Sequence, residues 1–479
     1  MSDEGNKERL WLSGDVASAL GGSFEGPSDC VITGVSIDSR TVGAGDIFFA
    51  IKGDRFDGHD FVDGAIEKGA ALAVVAHDKV ASLKSDASKL LIVEDVLKGM
   101  EALAHAARTR LAGKVVAVTG SVGKTGTKEM MRLAFGACGM THASVASFNN
   151  HWGVPLTLSR TPKDTDFGIY EIGMNHADEI TPLVGMVRPH VAIITTVEPV
   201  HLEFFENEEG IARAKAEIFS GLVAGGKAVL NRDNRHFDFL KKLADEEGVD
   251  VVTFGEAEMC DVALMDVDLQ SDASIVKASV FGKTVTYSIN APGRHLVQNS
   301  LAVAAALYLT GADVTKGLQT LSGLRAQKGR GARLALSISD GSFTLLDESY
   351  NANPASMGAA IGLLGEATIG ETGKRIAVLG DMRELGRESD ALHAALLEPL
   401  LDADIDLVFL SGPHMKALWE ALPDKMRGKY AQASDGLAEI LLQTVAKGDA
   451  VMVKGSLGSR MGPLVEALTK QYPSHKAAP

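Results

Sequence analysis

The stretch Val115–Thr125, VVAVTGSVGKT, decides the reading of this chain. Val115–Val118 is a short apolar, β-branched run, the pattern of a buried strand. It breaks at Gly120 and Gly123, and Lys124-Thr125 then open an amphipathic helical pattern, KTGTKEMMRLAF. A strand, a glycine-rich bend and a helix N-terminus together make an anion site. Backbone N–H groups converge where side chains are missing, and the helix dipole favours negative charge. Gly120, Ser121 and Gly123 would form the cradle, Lys124 a point charge on the β- and γ-phosphates, and Thr125 a hydroxyl on Mg²⁺. The loop is a shortened phosphate loop, with Val118 where the general pattern has its first glycine. A plain strand–turn–helix with Lys124 at the surface is the competing reading, disfavoured by the elements on either side.

Working outward, residues 113–325 alternate strand and helix patterns. Apolar runs at Val115–Val118, Gly168–Ile172, Val191–Thr196, Ala228–Leu230 and Val251–Phe254 predict a mainly parallel sheet with helices on both faces. Residues 262–290 alternate polar and apolar, which predicts an antiparallel excursion before a helix over Leu296–Leu309. Upstream, residues 1–112 read as a small α/β unit whose densest polar stretch, Ser36–Phe61, is either a ligand-facing loop or a solvated turn. Downstream, AQKGRGAR (Ala326–Arg333) reads as a hinge into a second doubly wound unit, residues 326–479. The fold class is therefore α/β in three domains, with a phosphate-loop ATPase at the centre and a Rossmann-like C-terminal unit.

Bulk properties narrow the function. The 479 residues are 46% hydrophobic and 23% charged, enough for several cores. A net charge of −15 argues against a general nucleic-acid or anionic-membrane binder. Cys30, Cys138 and Cys260 are too few and too far apart for a disulfide framework or a zinc site. The acidic start, MSDEGNKERLWLSGD, has no apolar core, and no run is long enough to span a bilayer. A cytoplasmic enzyme without membrane insertion is expected.

Candidate ligands follow the predicted strands, where open α/β sheets place their sites. Glu171 ends GIYEI, Asn175-His176 follow, and His201 and Glu203 lie in EPVHLEFF. A carboxylate and an imidazole beside a phosphate loop suit Mg²⁺, which takes few protein ligands. Lys215, in EEGIARAKAEIFSGL, falls on the apolar stripe of Ile211 and Ile218. It can snorkel, pair with a carboxylate such as Glu171, or lose its proton and take up CO₂ as a metal-holding carbamate. LLDESYNANPASM sets Asp347, Tyr350, Asn351 and Asn353 in a strand-to-helix loop, with Pro354 opening the helix. VMVKGSLGSRM places Lys454 and Ser456 before a helix expected from about Ser459. Asn353 and Ser456 read equally well as helix caps.

Taken in order, SIDSR, GDIFFAIKGDRFDGHDF, TGSVGKTGTKE, FNNHWGVPLTL, YEIGMN, HLEFF, AKAEIF, GRHLVQN, KGRG, DESYNANPASM, LGDMRELG and KGS resemble the Mur ligases over nearly the whole chain. The resemblance implies ATP, Mg²⁺, UDP-N-acetylmuramoyl-tripeptide and D-alanyl-D-alanine as cofactor and substrates, joined through an acyl phosphate. It implies metal ligands at Thr125, Glu171, His201 and a carbamylated Lys215. It places Asn299 and His295 near the adenine, and Arg330 and Asp347 on the nucleotide. It assigns Ser39, Arg40, Lys52, Asp57, Gly58 and His59 to the UDP-sugar. Asn149, Asn150, Tyr350, Asn351, Asn353, Lys454 and Ser456 go to the remaining substrate contacts. Gly126 and Leu296 depart from the family pattern, which has a second hydroxyl residue and an asparagine there. A monomer is expected, with no nucleic-acid partner. The Asp-Asn-Pro-Arg run of the ligase that adds the third residue is missing. A nucleotide-binding regulator without catalysis would have no use for a second metal site.

Overall fold

The computed structural model describes residues 9–474 except 146, 201 and 271–272. Three sheets carry it. The first has five strands in the order Ser23–Phe24, Leu90–Val93, Leu72–Ala76, Asp46–Phe49 and Gly34–Ser36, parallel except at the first pair. A short antiparallel pair, Trp11–Leu12 with Val31–Ile32, flanks it. Helix Val96–Arg110 covers this sheet, started by Asp95, whose carboxylate accepts from the N–H groups of Leu97 and Lys98.

The central sheet has nine strands. From one edge they run Thr141–Ala143, Phe167–Glu171, Lys114–Thr119, Val191–Ile194, Lys227–Asn231, Asp250–Gly255, Val262–Leu269, Ser274–Val280 and Lys283–Ile289. The first seven are parallel and the last two return antiparallel, the predicted excursion. One apolar cluster packs helices Lys124–Gly136 and Arg294–Thr310 on one face, and a second packs Ile180–Val187, Glu208–Ala216 and Phe237–Glu246 on the other. With both faces covered, Val115–Thr119 is buried throughout, which explains an unbroken apolar run instead of an alternating one. Chain order reverses around Lys114–Thr119, so its C-terminal end opens on a crevice between Phe167–Glu171 and Val191–Ile194.

The third sheet runs Ala332–Ile338, Gly341–Glu348, Ala450–Lys454, Arg375–Gly380, Leu407–Ser411, Arg427–Ala431, antiparallel only at the first pair. Both outer strands escape sequence reading: Arg427–Ala431, RGKYA, is half polar as edge positions allow, and Ala332–Ile338 starts inside the stretch read as a hinge. Thr141–Ala143 is missed for its brevity. The helix expected near Ser459 begins instead at Gly462. Arg460 takes a left-handed φ of 54° that cannot continue a helix, and Pro463, three residues later, fits the first turn. The expected hinge is a tight turn over 327–330 that feeds directly into the strand from Ala332.

Candidate active site

Two glycines shape the loop after Lys114–Thr119. A Cβ on Gly120, at φ 148°, would run into the Thr195 hydroxyl. One on Gly123, at φ 87°, would sit 2.9 Å from Asn299 Oδ1. The loop is stitched to the neighbouring strand end. Ser121 N donates to Thr196 O at 2.8 Å, and Thr195 Oγ1 donates to Val122 O at 2.6 Å. Ser121 Oγ both donates to Glu198 O and accepts from Glu198 N, so its hydroxyl is committed to holding the loop. Helix Lys124–Gly136 starts from Gly123 with no side-chain cap, leaving its first N–H groups to the crevice.

Lys124 Nζ folds back on Gly120 O at 2.5 Å and Ser121 O at 3.3 Å. Burial, with the Arg330 charge in reach, holds this ammonium below its ordinary range, and Glu171 opposes the shift. Glu171, at the end of its strand and 1% exposed, accepts from Thr125 Oγ1 at 3.2 Å and Asn149 Nδ2 at 2.7 Å through Oε1. Among the described residues its Oε2 is buried without a partner. A buried carboxylate oxygen left open beside a threonine hydroxyl is what a hard divalent cation completes, so this pair fits Mg²⁺.

Lys215 ends helix Glu208–Ala216 and is 2% exposed, which excludes snorkelling. No hydrogen bond or ion pair reaches it among the described residues, and Glu171 is engaged elsewhere. Burial first, and the Lys124 charge second, push its amine well below the ordinary lysine range. The Lys124 charge thus lies within reach of both Lys215 and Arg330, and three basic side chains gather around the loop. Two other expected ligands, His176 and Glu203, do not join them. His176 pairs with Glu179 at the surface, exposed Glu203 lies against Glu384, and His201 lies outside the described residues. Among the described residues no three His, Cys, Asp or Glu side chains gather as a metal site.

The third unit meets this crevice through Arg330. Its guanidinium stacks over the Tyr350 ring at 4.1 Å and donates to Ser147 Oγ at 3.1 Å. Asp347 accepts from Gly329 N through Oδ2, bracing the hinge turn, and from Ser349 N and Oγ through Oδ1. Lys454, 3% exposed, donates to Asn351 O at 3.0 Å and lies 3.5 Å from Glu348. Ser456 Oγ donates to Ala352 O and accepts from Arg383 N, tying two loops together. Asn353 forms a capping box with Ser356, the cap alternative of the sequence. Asn299 packs on the loop itself, and exposed His295 lies one turn earlier, near Lys454.

A second group lies on the first sheet. Gly58 admits no Cβ, because backbone atoms of Ala50 and Ile51 lie within 2.7 Å. Asp57 accepts from His59 Nδ1 at 2.6 Å and Lys79 Nζ at 2.9 Å, and His59 Nε2 accepts from Ala76 N. Although burial raises it, those donors hold the Asp57 carboxyl well below its usual range. Arg40 pairs with Asp38 in solvent, the Ser39 carbonyl accepts from Lys68, and Lys52 is exposed. The loop meets the central unit where Gly53 approaches Trp152, and Asn150 caps helix Gly153–Ser159 through Trp152 N and Gly153 N.

Sequence reading missed Ser147, which bonds to both Thr125 and Arg330, and Lys128, fully buried and donating to Ser144 O at 2.9 Å. Lys128 carries the same signal as Lys215, a lysine in line with Met131 and Phe135 on an apolar stripe. Ser147 carries no signal; its importance arises only in three dimensions.

Residues 31–110 match the "Mur ligase family, catalytic domain", 118–307 the "Mur ligase middle domain", and 332–457 the "Mur ligase, glutamate ligase domain". The UDP-N-acetylmuramoyl-tripeptide–D-alanyl-D-alanine ligase of Escherichia coli K12 is 34% identical over 456 residues, covering 95% of this chain and 97% of that one. The chain belongs to the Mur ligase family. The Bacillus subtilis ligase of the same name is 32% identical to this Mur ligase, again over 95% and 97% of the two chains. Among solved structures, MurF from Acinetobacter baumannii superposes with a TM-score of 0.82 at 28% identity, covering 96% and 99%. MurF from Thermotoga maritima in complex with ADP gives 0.75 at 27% identity, covering 91% and 97%. Among the described residues of this Mur ligase no helix is long and apolar enough to cross a membrane.

Proposed function

We propose that this Mur ligase joins D-alanyl-D-alanine to UDP-N-acetylmuramoyl-tripeptide at the expense of ATP, in the synthesis of peptidoglycan precursor. The observation that carries the nucleotide half is the cluster of Lys124, Lys215 and Arg330 around a glycine cradle. Lys124 and Arg330 oppose one another's charge there, and an anion between them relieves it. The relatives named for this reaction, matched end to end, support the peptide half.

The tripeptide's terminal carboxylate oxygen attacks the γ-phosphorus of ATP, giving an acyl phosphate and ADP. The dipeptide amine then attacks the acyl carbon, the tetrahedral adduct expels phosphate, and the amine's proton passes to solvent. In this reading Lys124 leaves its loop carbonyls to neutralise the transferring phosphoryl, and Arg330 clamps it from the hinge side. Thr125, Glu171, His201 and a carbamate on Lys215 would hold Mg²⁺, which supplies charge stabilisation to the phosphates when bound. Burial lowers the proton affinity of the Lys215 amine, and the unprotonated amine is the form that captures CO₂; the carbamate would add a negative charge to the ligands for Mg²⁺. Asn299 would line the nucleotide beside Gly123, and His295 its outer edge. Residues 1–112 would hold the UDP-sugar, with Arg40 and Lys52 toward the diphosphate. Residues 113–325 would carry the ATPase. Residues 326–479 would close on the dipeptide, their loops set by Asp347, Lys454 and Ser456.

With UDP-tripeptide, ATP and Mg²⁺, phosphate release should require D-alanyl-D-alanine, and mass spectrometry should find the joined pentapeptide. Release indifferent to the dipeptide would overturn the assignment. Lys124→Ala should abolish turnover.

A further inference from the structure

We propose that the Ser147 hydroxyl is the link by which occupation of the phosphate loop is passed to the hinge arginine, making Ser147 a positioning residue for closure of the third unit. The inference rests on the functional reading above. Arg330 has only donors, so its bond to Ser147 Oγ at 3.1 Å uses a lone pair of that oxygen. The same oxygen lies 3.3 Å from Thr125 Oγ1, which in turn lies 3.2 Å from Glu171 Oε1. A polar path therefore runs from the Tyr350 ring through Arg330, Ser147 and Thr125 to the carboxylate with the open oxygen.

The path is stiff on the central side. Lys128, on the helix that Thr125 opens, holds Ser144 O, and Asn149 is held through Glu171 and through Gly173 N to its carbonyl. Ser147 lies between these two anchors. Thr125 has one hydroxyl proton and two lone pairs to share among Ser147, Glu171 and any cation. Its proton already goes to Glu171, so its oxygen can accept from Ser147, and a cation held by Thr125 and Glu171 would compete for that oxygen and weaken the Ser147 bond. The Ser147 bond on which Arg330 rests then differs between the empty and the filled loop. Such a difference is what lets a ligand shift a conformational equilibrium. Ser147 sits where the third unit's cation touches the phosphate site, so the shift reaches the hinge directly.

The test compares wild type, Ser147→Ala and Ser147→Thr by small-angle scattering with and without Mg²⁺ and a non-hydrolysable ATP analogue, alongside calorimetric binding and kinetics. Wild type should compact on adding nucleotide. Ser147→Ala should bind the analogue within a few-fold of wild type, yet lose most of the compaction and about tenfold in kcat, a coupling of ordinary size. Ser147→Thr should restore both. Arg330→Gln should show the same loss of compaction, and the double variant no further loss. The proposal falls if Ser147→Ala compacts and turns over like wild type, or if its nucleotide affinity drops by the same factor as kcat. Dipeptide-independent phosphate release by wild type would instead defeat the functional reading and leave the scattering result to judge this one.

Discussion

The two seams of the molecule are built from different materials. Where the first sheet meets the central one, Trp11 is 4% exposed and donates its indole N–H to Ser159 O at 2.8 Å, with Arg110 stacked over its ring at 3.3 Å. Arg110 also donates to Leu10 O and Thr161 O, Arg160 to Val35 O, and buried Arg108 to Val187 O and Arg188 O. Leu156 and Trp152 of the central unit belong to the apolar cluster of the first sheet. Where the third unit meets the centre, none of the apolar clusters crosses among the described residues. Contact is made by Arg330 to Ser147, the Glu203 N to Glu384 O bond and the approach of Leu363 to Gly293. A buried, hydrogen-bonded apolar seam fixes its partners, whereas a thin polar one lets them part. On this contrast we expect the first two units to move as one body and the third to swing about residues 325–331.

The hardest blow to that contrast is Trp11→Ala. It should cost about 3–5 kcal/mol of stability, as core tryptophan truncations do, with kcat per folded molecule little changed. Denaturant titration measures the first and active-site-normalised rates the second; a small loss of stability would make the fixed seam no firmer than the mobile one. Arg330→Ala should do the reverse, lowering kcat about a hundred- to thousandfold while leaving thermal unfolding nearly unmoved. A large fall in melting temperature would show that the polar seam holds the fold. Lys215→Met separates the site from both seams. Between the lowered pKa of Lys215 in the fold and the ordinary value near 10.4 for an unfolded lysine, the unfolded chain binds more protons there. In bicarbonate-free buffer stability should rise with pH across that window, by up to about 1.4 kcal/mol per unit, and Lys215→Met should remove the slope. Smallest is Arg40→Ala. Its side chain is 86% exposed, so stability should hold within about 0.5 kcal/mol while KM for the UDP-peptide rises. An unchanged KM would take the uridine side off that loop.

Much of this was legible in the sequence where one residue type in one pattern has one physical outcome. Gly120 and Gly123 marked the bend from strand to helix, and the five apolar runs lie within two residues of central strands. Lys215 stood out because a lysine on an apolar stripe is anomalous, and Lys128 met the same criterion unnoticed because it sits inside a motif already explained. The polar stretch around Asp57 was undecided between ligand loop and turn, since composition does not say whether a carboxylate faces solvent or the Lys79 and His59 donors. Strand-end logic overreached at His176, which turns outward to nearby Glu179, and at exposed Glu203, whose backbone N–H instead meets Glu384 of the third unit. Ser147 was invisible because its partners lie 22 and 183 residues away.

The brace of Asp57, His59 and Lys79 under the loop of the first sheet has a consequence for redesign. Its donors and acceptors are spent on one another and on Ala76, while the tip above them, Asp54 to Phe56, is in solvent, Phe56 at 71% exposure. Libraries aimed at accepting altered sugar nucleotides should randomise that tip and keep the three-residue girder beneath it, which leaves diversity where it costs the scaffold least.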